Sequence, residues 1–492
     1  MDFSTGIGHL IETPVVEVPT LKGRENYLWL SVGALLILCF ILVVITPAVF
    51  AQSRSSDHEE YLKKIGEALR YIEENFVEEI DSYELFEGAL EGMFEVLGDP
   101  YSYYLDVNAM ESLSDRTEGE FGGIGIVISK ETRGEDPEDK PLYIKVISPI
   151  ENTPAYRAGI RAGDLIVSIG NESTEDLSID EVVDRLRGEP GTMVRFTVMR
   201  VPDNSFEVVI ARDIIEVPTV KHGMIDNDIA YLRIVEFTPF TDDRILDALE
   251  DFESAGYDSL VVDLRNNPGG LLKSVVDIAD FFLAGDTIVS TRSRIPAENK
   301  IFTAKSVIEI PLEYPITILI NKGSASAAEI LAGALRDNGR AILVGETTFG
   351  KGSVQDVRSF GKDGFRLTTS RYYTPSGVNI DNIGIEPDVP VAEEPLNEEE
   401  ISMSERLRDG FFIEDFIKKN PQPDESEIED FLEQLFEEGI SLEERILLRM
   451  IRDEINRVNN SAPIFDLEFD LVLQEAVNLI KSGQYANIAT SS

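Results

Sequence analysis

Histidine and cysteine are both scarce in this chain. Only His9, His58 and His222 are histidine among 492 residues, and Cys39 is the single cysteine. One cysteine excludes disulfides within the chain, and its position inside an apolar run excludes a thiol nucleophile in the folded part. Basic residues are also short: Lys and Arg number 44 against 91 Asp and Glu, a net charge of −47. A polyanion needs a basic patch and none is visible, so nucleic acid is not an expected partner. The acidic excess reads as a solvated surface. Neither a metal nor a cofactor is expected.

Charge of either sign is missing from Tyr27 to Ala51. An apolar run of about 20 residues suffices to cross a bilayer. Lys22 and Arg24 precede it, which favours a cytoplasmic segment 1–26, although Glu25 weakens the bias. Val49-Phe50-Ala51 also resembles a signal-peptidase site, so segment 27–51 is read as a transmembrane anchor or a signal peptide, and the two stay open. Leu38 is too large to precede a lipidated Cys39. Either way the remaining chain is expected outside the cytoplasm, in the cell envelope: anchored to the inner membrane, or periplasmic.

The pattern along the chain then changes several times. Residues 58–117 open with apolar positions Tyr61, Ile65, Leu69, Ile72 and Phe76 at helical spacing, and Gly98-Asp99-Pro100 ends the helical stretch. Residues 118–215 alternate short β runs and turns. Strands are expected at Leu142–Val146, Asp164–Ile169, Met193–Arg200 and Ser205–Arg212, with helices at Pro154–Ala158 and Ile179–Arg187. Residues 216–392 alternate strands (Ile229–Ile234, Ser259–Asp263, Ile316–Ile320, Ala341–Gly345) with helices (Thr241–Ala255, Leu271–Phe282, Ala325–Asp337). Such alternation predicts an α/β layered domain with a largely parallel sheet, whose ligands gather at the carboxyl ends of the strands. Residues 393–492 are acidic, but the stripes Ile428, Phe431, Leu432, Leu435, Phe436 and Leu442, Ile446, Leu447, Ile451 predict helices that pack on the core or a partner.

Two stretches carry candidate chemistry. Asn321 to Glu329 (NKGSASAAE) follows an apolar strand and opens a helix of small residues. A serine there has an exposed hydroxyl beside backbone N–H groups suited to an oxyanion. By itself the stretch also suits a helix cap, where serine is favoured. A serine nucleophile needs a base, and histidine is nearly excluded because only His222 lies in this region. Lysine made neutral by desolvation is the remaining common option. Phe349 to Gln355 (FGKGSVQ) supplies Lys351 between glycines, with no acid near in sequence. By itself it also suits a surface Gly-Lys-Gly turn. In an extended segment Lys351, Ser353 and Gln355 share one face.

These motifs, with LEGMFEVLGDPYSYYL at 90–105, FGGIGIV at 121–127, DLRNNPGG at 263–270, GETTFGKGSVQ at 345–355 and YYTPSGVNIDNIGIEPDV at 372–389, resemble the carboxy-terminal processing peptidases, or tail-specific proteases. The resemblance covers about residues 58–392. It implies a PDZ domain inserted before a crotonase/Clp-protease-like α/β peptidase core, with helical N-terminal and C-terminal segments. By position it makes Ser326 the nucleophile, Lys351 the general base and Gln355 the residue that orients the lysine. Ser324 matches a family serine that is not the nucleophile. Ala327 is implied to give one N–H of the oxyanion hole, with Gly269 or Gly270 giving the other; the choice between the glycines stays open. Ala328 and Asn266 depart from the more frequent serine and aspartate. The 118–215 module resembles a PDZ domain, with Gly122, Gly123, Ile124, Gly125 and Ile126 (and Ile128) at the peptide site and Arg187 coupling it to catalysis. The implied partners are proteins with free C-terminal tails, a second copy of the chain and an adaptor protein. A PDZ scaffold without catalysis, and a hydratase or acyl-transfer enzyme of related fold, are the rivals; Ser326, Lys351 and Gln355 together disfavour the first, and no carboxylate pair supports the second.

Overall fold

A computed structural model describes residues 57–130, 143–150, 152–161, 163–200, 205–305, 308–392, 397–459 and 463–485. The expected membrane segment 27–51 lies outside these residues. Among the described residues no helix is long and apolar enough to cross a membrane.

The chain divides into two units, one up to Val96 and one from Leu97 onward. The first contains helix 57–75 and helix Ser82–Glu95. Asp81 starts the second of these, its side chain accepting from the Tyr83 N–H at 2.8 Å, which satisfies an otherwise orphan donor. Gly98, at φ 62°, follows the helical stretch as its Gly-Asp-Pro sequence requires.

Within the second unit, residues 118–215 form the expected small module. Its antiparallel sheet runs in the order Ile126–Ser129, Ile144–Pro149, Leu165–Ile169, Met193–Met199, Ser205–Ala211, with Glu172–Ser173 paired to Leu165–Ile169. Alternate residues Ile144 and Val146, and Val194, Phe196 and Val198, enter a core closed by Val182 and Leu186 of helix Ile179–Leu186. That helix starts at a Ser178–Glu181 capping box. The chain enters and leaves through a separate ribbon in which Glu120–Gly123 pairs antiparallel with Asp213–Glu216.

The larger α/β domain is built on a six-stranded sheet. Its order is Val220–Ile225, Ile229–Ile234, Ser259–Asp263, Ile316–Ile320, Ile342–Gly345, Val389–Pro390; the first pair is antiparallel and the rest parallel. Strand period separates two cores. Ala230, Leu232, Leu260, Val262, Ile318, Ile320 and Leu343 face the helices Thr241–Ala255, Leu272–Ala279 and Ala327–Asp337. Tyr231, Val261, Leu319, Ile342 and Val344 face Leu473, Ala476 and Val477 of the last helix, Leu471–Lys481. With both faces covered, Ser259–Asp263 and Ile316–Ile320 are buried throughout, as their apolar sequences foretell.

The acidic C-terminal region therefore splits. Its last helix is a layer of the α/β domain, whereas helices Glu398–Asp409, Phe412–Lys419, Glu425–Glu437 and Glu444–Asn459 gather Leu407, Ile417, Phe431, Leu435, Leu447 and Ile451 into a core of their own. Phe436, counted in the expected stripe, is instead 70% exposed. A second, five-stranded antiparallel sheet was not anticipated; its longest strand, Gly364–Tyr373, pairs with Tyr103–Leu105, Thr287–Ser293 and Ser353–Ser359.

Candidate active site

Ser326 stands where the chain turns from strand Ile316–Ile320 into helix Ala327–Asp337. The helix starts two residues later than its sequence suggests, leaving Ser326 at the N-cap position with φ 55° and ψ −112°. An ordinary cap residue is extended; a non-glycine residue at this φ is held there by its surroundings. Ser324 is fully buried and braces the turn, its hydroxyl donating to the Leu264 carbonyl at 2.8 Å and accepting from the Asn321 N–H at 3.0 Å. Ser324 is thus structural and Ser326 is the partly open hydroxyl.

Lys351 lies in a turn whose main chain is tied to the same helix. Glu329, fully buried one turn beyond Ser326, accepts from the N–H of Ser326 at 2.8 Å, of Gly350 at 2.8 Å and of Lys351 at 2.9 Å. The Thr348 hydroxyl also donates to it at 2.6 Å. Burial pushes the Glu329 carboxyl up from its ordinary value, while these donors pull it down. Tyr372, 1% exposed, holds the opposite side: its hydroxyl donates to the carbonyl of Ser326 at 3.1 Å and to that of Lys351. One carboxylate thus gathers the amides of both residues, and one phenol gathers their carbonyls.

Ser326, Ala327, Lys351, Gln355 and Gly270 line one cavity of about 380 Å³. Burial lowers the Lys351 pKa from 10.5 to about 8, helped by the positive charge of Arg366 and opposed by Glu329 and Asp99. The Lys351 ammonium lies 4.9 Å from the centroid of the Tyr101 ring. Gln355 is in the cavity wall, but its hydrogen bonds run elsewhere than expected. Its amide donates to the hydroxyls of Ser353 at 2.9 Å and Thr368 at 3.2 Å, and its carbonyl accepts from Arg366 at 3.1 Å. Lys351, Ser353 and Gln355 line the same cavity as extended alternation predicts, but Ser353, Thr368 and Arg366 take up the polar atoms of Gln355. Gln355 therefore holds Arg366, the cation that bears on Lys351. His222 pairs with Asp251 at 2.9 Å and does not line the cavity.

The glycine turn is anchored by Asp263, Arg265 and Asn267. Asp263 is fully buried and accepts from Tyr231 at 2.7 Å and from the Arg265 guanidinium, which also makes a bidentate pair with Asp470 at 2.8 and 2.6 Å. Asn267 donates to the Ile234 carbonyl at 2.8 Å, and its side-chain oxygen accepts the Gly269 N–H at 2.8 Å. That bond separates the two candidate glycines: the Gly269 amide is already engaged, whereas Gly270 lines the cavity and its amide has no acceptor among the described residues. A side chain at Gly270, φ 141°, would place its Cβ 2.1 Å from the Phe237 carbonyl oxygen. Only glycine lets the backbone come this close.

The expected peptide site on the small module is partly rearranged. Among the described residues, strand Ile126–Ser129 is an edge of its sheet, where a further strand can be added. Gly122 and Gly123, however, belong to the entry ribbon, opposite Ile214 and Asp213, and Ile124 is 2% exposed in the module's core. Gly122 and Gly123 are therefore ladder residues and Ile124 is a core residue, because the ribbon continues further into the glycine run than its sequence suggests. Gly125, at φ 78°, lies against Thr153, whose hydroxyl donates to its carbonyl at 3.1 Å. Ile126 and Ile128 are partly buried against the core at the open edge. Arg187 ends helix Ile179–Leu186 and stacks 4.5 Å over Phe121, outside the lining of the cavity that holds Ser326 and Lys351.

Glu329, Tyr372, Arg366 and the Asp263–Arg265–Asp470 group were not singled out from sequence. Glu329 had a usable signal, since Ser326-x-x-Glu329 has capping-box spacing. Tyr372 opens the 372–389 motif, but nothing in the sequence tied it to Ser326, and Arg366, on the same distant strand, had no signal.

Comparisons with known proteins show the family of the chain. The family model of Peptidase family S41 matches residues 228–391, that of a PDZ domain matches 145–200, and that of the activating protease CtpB N-terminal domain matches 46–109. A carboxy-terminal-processing protease of Bartonella bacilliformis is 41% identical over 363 residues, 71% of this chain and 80% of the relative. The carboxy-terminal processing protease CtpA of Bacillus subtilis is 32% identical over 70% of this chain and 71% of its own length. A solved photosystem II D1 C-terminal processing protease is 27% identical over 66% of this chain and 92% of its own, at a TM-score of 0.39.

Proposed function

Because the chain belongs to the carboxy-terminal processing proteases of Peptidase family S41 and carries a PDZ domain, we propose that it cleaves protein tails by a Ser326–Lys351 acyl-enzyme mechanism. The observation that carries this is one cavity lined by both residues, with the Lys351 pKa drawn down to about 8. Neutral Lys351 takes the Ser326 proton as the hydroxyl attacks the peptide carbonyl. The N–H groups of Ala327 and Gly270 receive the developing oxyanion. The protonated lysine then gives its proton to the leaving amine, and water, deprotonated by the lysine in turn, resolves the ester. Gln355 acts on the lysine through Arg366.

The substrate enters as an extended tail added to strand Ile126–Ser129, with its carboxylate at the Ile124–Gly125 turn. Arg187, beside that turn's ribbon, is the residue through which peptide binding is coupled to catalysis. The uncharged run Tyr27–Ala51 supports placing the peptidase outside the cytoplasm. The test is single-turnover acylation by wild type, Ser326→Ala and Lys351→Ala, with free and amidated substrate tails. Loss of acylation in both variants and weakened cleavage of the amidated tail are expected. Appreciable acylation in either variant refutes the dyad, and indifference to amidation refutes the tail-reading role.

A further inference from the structure

A second cavity, of about 850 Å³, opens at the carboxyl ends of the central strands. The turn between Leu264 and Leu271 divides it from the catalytic cavity: Arg265 and Asn266 face the second cavity, Pro268 and Gly270 the catalytic one. Crevices at strand ends are where open α/β sheets take ligands. Its wall also includes Ser148 and Pro149 of the PDZ domain and Arg452 of the C-terminal helices.

The charge in this cavity runs against that of the whole chain. Each carboxylate in its wall is already paired: Glu346 with Lys322 at 3.4 Å, Asp453 and Asp466 with Arg452 at 3.3 and 2.7 Å, and Asp470 with Arg265 at 2.6 Å. Lys221 and Arg233 also line it, and among the described residues neither forms an ion pair. They are directly opposed across the antiparallel pair Val220–Ile225 and Ile229–Ile234. Directly opposed residues share a face with Cβ atoms roughly 5 Å apart, and like charges there are destabilising. In a chain with 91 acidic residues, one carboxylate paired with them would remove the repulsion, yet among the described residues none pairs with either. Arg452 adds a buried Nε without a hydrogen-bond partner in the same wall.

We propose that Lys221 and Arg233 form a binding site for a small phosphate-type oxyanion in this second cavity. A guanidinium fork beside a compact ammonium suits a tetrahedral dianion. A net charge of −47 opposes an acidic polypeptide along its whole length, whereas a small ion feels mainly charges within a Debye length of about 8 Å. The site is independent of the Ser326–Lys351 chemistry.

The test is equilibrium dialysis of inorganic phosphate against the full Ser326→Ala chain in mild detergent, at ionic strength fixed with sodium chloride. One saturable phosphate per chain is expected, with affinity lowered at least tenfold by Lys221→Gln and by Arg233→Gln. Absence of saturable binding, or binding unchanged in both variants, overturns the proposal. Arg233→Glu guards against misfolding: it turns a repelling pair into an attracting one. It should therefore raise the melting temperature in phosphate-free buffer while abolishing phosphate binding. Wild-type phosphate binding by this variant, or a lowered melting temperature, overturns it equally.

Discussion

Replacing Arg366 with glutamine separates the two causes that lower the Lys351 pKa. Burial is the larger and the Arg366 charge the second, and together they bring it to about 8. At pH 7 such a lysine is neutral in roughly one molecule in eleven, against roughly one in 3,000 at the ordinary value, an advantage of about 300-fold in competent base. The wild-type kcat/KM is therefore expected to rise about tenfold per pH unit below pH 7 and to level off above about pH 9. Removing Arg366 leaves the burial in place, so the inflection should climb by only about half to one unit. At pH 7 the rate then falls about three- to ninefold, while the alkaline plateau stays near that of wild type. Peptide hydrolysis followed from pH 6 to 10 measures both limbs. An inflection that stays put or moves down would refute the assignment of Arg366. A fall equal at every pH would show that Arg366 matters by positioning Gln355, with which it bonds at 3.1 Å.

Other perturbations probe the scaffold of the proposed dyad. Tyr372→Phe removes the donor to the Ser326 and Lys351 carbonyls; stability should drop by about 1–2 kcal/mol in denaturant melts, and kcat should fall without moving the inflection near pH 8. Gly269→Ala would bring a methyl within 2.8 Å of the Ser326 Cβ at φ 105°, so kcat should fall at least ~100-fold with little change in KM, as steady-state kinetics would reveal. Lys351→Met should be inactive yet more heat-stable at pH 7. Because burial depresses the folded pKa of this cation, the unfolded chain binds more protons between about pH 8 and 10.5, so Lys351 destabilises most below that window and least above it. The melting-temperature gap between the variant and wild type should thus shrink as pH rises to 10.5.

Much of the architecture was legible because its signals are local. Ile229–Ile234, Ser259–Asp263 and Ile316–Ile320 are short segments rich in apolar and β-branched residues, and they are strands at the stated residues. Thr241–Ala255 shows an apolar helical face, and it is a helix over those residues. By contrast, the strands of the second sheet are only partly buried, as in Ser353–Ser359, so they carry no clean alternation to read. The helix that follows Ser326 starts later than expected for a related reason: Ala325 and Ser326 have helix-compatible side chains, but the Ala325 N–H donates to the Asn267 carbonyl and the Ser326 N–H to Glu329, and Ser326 takes a positive φ.

Sequence alone pointed to the proposed chemistry: with histidine nearly absent and the folded part free of cysteine, a serine nucleophile calls for lysine, and the motifs of the resembled family point to Ser326 and Lys351. Only the tertiary structure decided how those residues are held and tuned. Burial of the Lys351 ammonium, the clamp of Glu329 and Tyr372, the engagement of the Gly269 amide and the detour of Gln355 to Arg366 all join segments far apart along the chain. Desolvation and hydrogen-bond geometry depend on which groups surround an atom in space, and residue order does not contain that until the chain has folded.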